Sequence, residues 1–527
     1  MSRRGKAAGL LLTLTAFFLI CGFAKPNQGY LKSATYYSDD WMVNFWNGES
    51  DDMDAELRQI AGDGFNNIIL VLPWREFQPE NGSFNSYAIE RLHKVMNAAE
   101  AQQLSVMLRV GYTWDYYPEG KSAVVRVNEL PYSSFTRKQW FSYLSRIYSE
   151  ASAHANFAGG FATWEDFWTF TSTATSYGKN KKGIENAEKS GFRDYALAHY
   201  SIEELREIYK DQGLTEDTIY FPSKANYALK IFYDWYDAFL MELIADSQQF
   251  FPDLSFEIRL DGDRVLRNDG STEWYMHQNS FRSLRSSYAS AMYGVPMFIG
   301  GGRVSAGRAL QGTQQALAFA ASSGKPVYVE QLLFTESTPG YEDMAKIHPE
   351  EEPAYLLSLP GLLRSMTNGY GIWVYRDYGN NKLFNPQFGL RERGWKLENN
   401  ARVEQRAGSN AARLAKGGKL SQQLEASAGT QNGRDTTVRF RLSGDGKVTV
   451  RLGSAAYSFP AKSREWETVQ HLFSGNSGVL SFECTDGYVY IDNVNAYNLV
   501  TEGHLYHLDG SEDYCIPAIR TLNSQLG

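Results

Sequence analysis

Asn67-Ile-Ile-Leu-Val-Leu72 is a run of β-favouring apolar residues set between two stretches of helical character. Before it, Asp51, Asp52 and Asp54 crowd the first turn of an expected helix, where carboxylates complement the positive end of the helix dipole. After it, Ile89, Leu92, Met96 and Ala99 recur at the spacing of one helical face, and a second β-rich run follows at 104–110. Strand, helix, strand in this order is the unit of a parallel sheet with crossover helices. Working outward, further strands are expected at 34–45, 158–164, 255–260, 295–299, 326–330 and 371–375, the 326–330 strand following a helix that Gly324 can cap. Eight such units predict an α/β fold, a closed (β/α)8 TIM barrel over residues 25–395, whose reactive residues belong at the C-terminal strand ends. The long stretch between the fourth strand and Pro222 is expected to wall a cleft.

Beyond Trp395 the pattern changes to short alternating strands punctuated by Gly, Ser and Asn, at 436–442, 447–452, 478–484 and 488–491. That predicts a second, smaller antiparallel β-sandwich domain over 396–503. In the tail, 504–527, Tyr514, Ile516, Ile519, Leu522 and Leu526 line one helical face. Two arrangements are open for it: a helix returning to the barrel across an inserted sandwich, or a terminal helix packed on the sandwich.

The N-terminus reads Met-Ser-Arg-Arg-Gly-Lys, then an apolar run over 10–20, then Cys21-Gly-Phe-Ala24. Basic, apolar and small residues in that order make residues 1–24 a secretory signal, which places the protein outside the cytoplasm, secreted or periplasmic. Lipidation at Cys21 is the alternative, disfavoured by the bulky Ile20 before it. The run is too short to span a bilayer, and no later segment is long and apolar enough, so no membrane span is expected. Removing the segment takes the formal charge from −8 to −11, a balance unsuited to nucleic acid. With 12 Trp and 33 Tyr the chain is rich in side chains that join an apolar face to a polar edge, which matches the two sides of a sugar ring. Cys484 and Cys515 remain, bridged or free, and no Cys/His spacing suggests a zinc site.

Two carboxylates fall at the ends of different expected strands. Glu165 closes strand four in Phe161-Ala-Thr-Trp-Glu-Asp-Phe-Trp168, and Glu330 closes strand seven in Lys325-Pro-Val-Tyr-Val-Glu-Gln331. Hydrolysing a glycosidic bond with retention needs such a pair, one to protonate the leaving oxygen and one to attack the anomeric carbon. The competing reading makes each a structural carboxylate paired with an Arg; Asp166 and Glu336 form a fallback pair. Arg109 either holds the nucleophile ionised or forms a rim salt bridge. Trp74, Trp114, Trp164 and Tyr293 are candidates for sugar subsites or for packing, and Arg259 and Asp261 top strand five as candidate substrate contacts.

An acid on strand four and a nucleophile on strand seven resembles the arrangement of glycoside hydrolase clan A. Leu72-Pro-Trp-Arg-Glu-Phe-Gln-Pro-Glu-Asn-Gly-Ser-Phe84 looks like the strand-two segment of those enzymes, and Met107-Leu-Arg-Val-Gly-Tyr112 is similar to the strand-three segment of β-galactosidase-like members. Trp373 holds the strand-eight place of the clan's aromatic floor under the sugar. The resemblance covers roughly residues 64–377 in short pieces. It implies a retaining β-glycosidase acting on a polysaccharide or oligosaccharide, with Glu165 as acid/base, Glu330 as nucleophile and no cofactor. One position departs: many members place Asn before the acid, against the sugar 2-hydroxyl, where this chain has Trp164. The competing class is a carbohydrate-binding barrel without turnover, serving exopolysaccharide assembly or export, and an inverting enzyme is a third. In the sandwich, Trp466-Glu-Thr-Val-Gln-His-Leu-Phe473 and Val489-Tyr-Ile-Asp-Asn-Val494 look like the last strands of jelly-roll carbohydrate-binding modules. The lone acid of Asp492-Asn493 is too little oxygen chemistry for a Ca²⁺ site, so no metal is expected.

Overall fold

The computed structural model describes residues 29–39, 45–46, 52–79, 82–113, 123–258, 263–277, 289–292, 302–322, 324–332, 346–379, 381–406, 409–424, 435–475, 478–498 and 500–527. The expected secretory segment lies outside them. Eight strands, β1 (Leu31–Thr35), β2 (Asn67–Pro73), β3 (Ser105–Tyr112), β4 (Phe157–Ala162), β5 (Ser255–Ile258), β6 (Ala289–Met292), β7 (Val327–Leu332) and β8 (Gly369–Ile372), close into a barrel. Every neighbouring pair is parallel, and closure is made by β8 against β1, with Leu31 opposite Gly369.

The barrel interior is layered from a polar floor to a charged mouth. At the floor Ser105 Oγ donates to Asn67 Oδ1 (2.8 Å), Asn67 Nδ2 to Ser33 Oγ (2.9 Å), and Tyr328 OH to the same Ser33 Oγ (2.8 Å). Above it Ile69, Met107, Ala158, Phe161 and Tyr328 form a small apolar cluster separate from the main core. Because side chains alternate along a strand, the next inward positions above Met107 and Tyr328 are Arg109 and Glu330. A filled lower barrel thus leaves the C-terminal rim as the place where polar side chains meet.

Several expected strands change their bounds, and the first, expected at 34–45, is Leu31–Thr35, because Leu31 to Ala34 register with Gly369 to Ile372 where the barrel closes. The sixth is Ala289–Met292, and the expected 295–299 lies outside the described residues. The fourth stops at Ala162, and the eighth at Ile372. The fourth stops early because Thr163 caps a helix, Trp164–Ala174, its side chain accepting from the backbone of Asp166. In the second β-domain, four expected short strands merge into two long ones, Thr436–Leu452 and Gly478–Tyr497, paired antiparallel. Gly444, Gly446 and Gly487 read as turn residues in the sequence. They instead let the two backbones approach, since a Cβ on Gly446 would lie 2.3 Å from the Asp486 carbonyl oxygen. Pairing with 455–461 on one half and 467–473 on the other folds this antiparallel sheet around Phe440, Val448, Val450, Phe482 and Ile491.

After the second domain the chain runs back over the barrel. Val500–Thr501 pairs with Tyr378–Gly379, and helix Ile516–Leu526 buries Ile516, Ile519 and Leu522 in the barrel core. Cys484 is buried in the second domain and Cys515 in the barrel core, and both are free thiols. Asn523 pins the helix: its Nδ2 donates to the Asp63 carbonyl (3.0 Å) and its Oδ1 accepts from Tyr370 OH (2.6 Å). Asn523→Ala is expected to cost about 2–3 kcal/mol by orphaning both buried groups, read as a lowered denaturant midpoint with unchanged slope. No helix among the described residues is long and apolar enough to cross a membrane.

Candidate active site

Thr163 decides where Glu165 stands. Its hydroxyl donates to Asp166 Oδ2 (2.6 Å) and starts a helix directly on the end of β4, so Glu165 occupies the first helical turn rather than the strand. The Glu165 backbone N–H donates to Glu257 Oε2 on β5 (3.3 Å), and its side chain, 28% exposed, accepts from Arg109 Nη2 (2.9 Å) on β3. Its second carboxylate oxygen makes no hydrogen bond among the described residues and stands at the rim.

Arg109 lies under this turn, fully buried. It donates through Nε and Nη2 to Asp166 Oδ2 (3.2 and 3.1 Å) and through Nη2 to Thr163 Oγ1 (3.1 Å). Its burial works against the charge, but Asp166 and Glu165 more than offset that and hold the guanidinium protonated. Asp166, with no exposed surface, also accepts from the Thr113 backbone N–H (3.3 Å). Burial pushes its carboxyl up to about 6, with Arg109 opposing. Asp166 is therefore spent on fixing Arg109 and the end of β3, which removes it from the fallback pair; Glu336 lies outside the described residues. Of the two readings of Arg109, a partner that holds the nucleophile ionised or a salt bridge at the rim, the structure shows salt bridges, to Glu165 and Asp166. The Arg109 hydrogen bonds go to the β4 end, because the Thr163 turn brings two carboxylates over it.

Glu330 sits in β7, 3% exposed, where pairing slips against both β6 and β8. A bulge of this kind re-aims a side chain at a barrel rim. Gly371 is what lets β8 close against it, since a Cβ there would lie 2.9 Å from the Glu330 carbonyl oxygen and 2.5 Å from Ile69. Trp373 follows just past the strand end, half-buried, with its peptide bond to Val374 cis. The Trp373 ring lies 5.9 Å from the Arg109 guanidinium and 5.9 Å from the Tyr37 ring, and Tyr112 lies 5.2 Å from the same guanidinium. Contacts thus run from Tyr37 and Trp373 through Arg109 to Glu165 and Glu257, and Glu330 stands near the C-terminal end of β7 in the same barrel.

Two expected subsites are packing. Trp74 has no exposed surface, bonds Gln78 Oε1 through its indole N–H (2.9 Å) and meets Trp140 edge-on. Trp164 is equally buried, its indole N–H on Asp237 Oδ1 (3.1 Å), because the first helical turn rotates it away from the mouth. Trp114, Tyr293, Arg259 and Asp261 lie outside the described residues. The sequence reading passed over Glu257, Tyr37 and Tyr112. Glu257 carried a signal: in Ser255-Phe-Glu-Ile258 the period of two separates Phe256, packed on Phe167, from an inward Ser255 and Glu257.

No protein-family model and no curated protein matches this chain. Among solved structures it is similar to the exo-β-1,4-mannosidase Op5Man5 from Opitutaceae bacterium strain TAV5, with 13% identity over 67% of this chain and 53% of that one, at a TM-score of 0.40. It is also similar to the cold-adapted β-galactosidase from Rahnella sp. R3, with 13% identity over 67% of this chain and 51% of that one, at a TM-score of 0.47. TmCBM61, solved in complex with β-1,4-galactotriose, matches 23% of this chain over 99% of its own length, with 17% identity and a TM-score of 0.19. The chain spans about half the length of the mannosidase and of the galactosidase.

Proposed function

We propose that this protein is an exported glycoside hydrolase that cleaves a β-linked polysaccharide or oligosaccharide with retention, using Glu165 as acid/base and Glu330 as nucleophile. The observation that carries the proposal is that Glu165, Glu257, Arg109 and Trp373 gather at the C-terminal rim of one closed barrel whose seventh strand carries Glu330 near the same end. Glu330 would attack the anomeric carbon from a site nearly closed to water, and its ester would then be hydrolysed. Glu165 keeps one oxygen free at the rim, where a leaving-group oxygen would sit, and hands over its proton there; once the ester forms, it takes a proton from water. Trp373 would carry the apolar face of the sugar. With Trp164 buried in the place of the clan's Asn, recognition of the 2-hydroxyl falls to other groups at the mouth.

The Arg109–Glu165 ion pair favours a second reading, because Arg109 Nη2, 2.9 Å from Glu165, ties this carboxylate into the same structural network as Thr163 and Asp166. A carbohydrate-binding barrel without turnover would keep that pair. One experiment separates the two. Incubation with a panel of 2-deoxy-2-fluoro β-glycosides bearing dinitrophenyl leaving groups is expected to release one equivalent of phenol and leave the fluorosugar on the peptide that contains Glu330. Labelling elsewhere defeats the assignment of Glu330. No release from any glycone, with polysaccharide retained on an affinity gel, establishes the binder.

A further inference from the structure

Beside the Glu165 turn, around Trp164, lies a buried network that the reaction scheme does not use. His277 has no exposed surface, and each ring nitrogen faces a carboxylate: Nδ1 lies 2.8 Å from Asp237 Oδ1 and Nε2 3.0 Å from Asp263 Oδ2. Asp237 belongs to helix Leu229–Ser247, and Asp263 opens the hairpin Asp263–Leu266/Thr272–Tyr275 that follows β5. Asp237 Oδ1 accepts from the Trp164 indole N–H as well, and the Trp164 and His277 rings lie with centroids 4.0 Å apart, tilted by 33°. Tyr233 and Tyr275 meet the imidazole edge-on at 5.1 and 4.9 Å, and Tyr275 OH donates to Asp234 (2.7 Å), itself paired with Lys230.

Trp164 is the residue before Glu165 and the first of its helix. Where it is held, the Glu165 Cα is held. We propose that His277, clamped between Asp237 and Asp263 with its ring against Trp164, is a positioning residue that fixes the Glu165 turn to the helix and hairpin beside it. The inference rests on the reading of Glu165 as the acid/base. Arg109 holds the Glu165 carboxylate, Glu257 its backbone N–H, and the clamp the residue before it, so three contacts set the turn. Burial would depress the imidazolium, but Asp237 and then Asp263 overcome this and push it up to about 9, so both contacts are charge-assisted near neutrality. A bulky Trp164 in the place of a small polar residue gives the clamp a ring to hold.

The test compares the full-length parent with His277→Gln and His277→Phe on two β-glycosides of the glycone that the parent accepts. A 4-methoxyphenyl leaving group needs protonation, and a 2,4-dinitrophenyl group does not. A displaced acid is expected to lower kcat/KM, which reports formation of the ester, by ~10- to 100-fold on the first and by less than about threefold on the second. Equal losses on both substrates overturn the proposal. Parent behaviour in His277→Phe, which keeps a ring against Trp164 without the carboxylate contacts, overturns the clamp. Hydrogen exchange of the peptide spanning residues 163–170 gives a readout free of activity: it should quicken in His277→Gln while helix Ser134–Ala151 stays unchanged, and no quickening overturns the proposal. If His277→Gln does not fold, Asp263→Asn at the edge of the network removes one contact and is judged by the same measurements. A parent silent on every glycoside defeats the glycosidase reading, and the exchange measurement still decides the clamp.

Discussion

Glu330→Gln should abolish turnover while leaving the fold intact. Gln keeps the shape of Glu but offers no anionic oxygen, so the ester that splits the reaction into two easier steps does not form. The expected loss in kcat is about four orders of magnitude, roughly 5 kcal/mol of transition-state stabilisation. Stability should stay close to that of the parent, because Gln fills the same volume in β7, where the side chain is nearly sealed from solvent. Activity on a dinitrophenyl glycoside and thermal unfolding, measured on the same preparation, check both halves. Glu330→Gly with added azide sharpens the result: the small anion should enter the vacated volume and release an α-glycosyl azide. Retention of activity within tenfold of the parent in the Gln variant would remove Glu330 from the mechanism.

The barrel was legible because its signal is long-range and redundant. Residues 68–73 and 327–329 are apolar on both faces, and the amphipathic helices between such runs fix a parallel order whatever the error at any one boundary. The mouth was less legible, since one residue of register changes what a side chain meets. Thr163 is a β-branched residue that continues an apolar run and equally a capping residue before two acids, and only the second role places Glu165 in a helix and Arg109 beneath it. Aromatics were ambiguous for a related reason: Trp74, Trp164 and Trp373 all look like sugar platforms, yet a large ring is as readily core as surface, and the first two are sealed. The two long strands of the second domain were cut in the reading at glycines that mark close backbone approach, a difference no local pattern records. The period of two in its strand announces Glu257 as inward but not its contact with Glu165, 92 residues away, and nothing beside His277 in the sequence announces its contact with Asp237, 40 residues away.

The same buried imidazole dictates a pH profile of stability. Its folded-state value, about 9, stands above the ordinary 6.5, so the folded protein holds the proton more tightly than the unfolded chain. The contribution is therefore fully present below about 6.5 and is lost as pH rises through about 9. A shift of this size corresponds to about 3 kcal/mol for a fully buried group. Two carboxyls have the same sign over a lower window: burial raises Asp166 to about 6 and Glu352 to about 7, so their contributions fade as pH rises through those values. These three groups should lower the stability of the parent between about pH 5 and pH 10, opposed by His154, Lys32, Lys325 and Lys382, whose values burial shifts down. His277→Gln leaves the lower window intact and removes only the upper one. Denaturant unfolding of parent and variant at about pH 6 and pH 10 isolates the difference, because lysines, tyrosines and thiols titrate alike in both chains. The gap between the two proteins should narrow by about 3 kcal/mol across that range. A gap that stays constant or widens would mean that the imidazole gains nothing from Asp237 and Asp263, and the clamp beside Glu165 would then be a neutral packing contact.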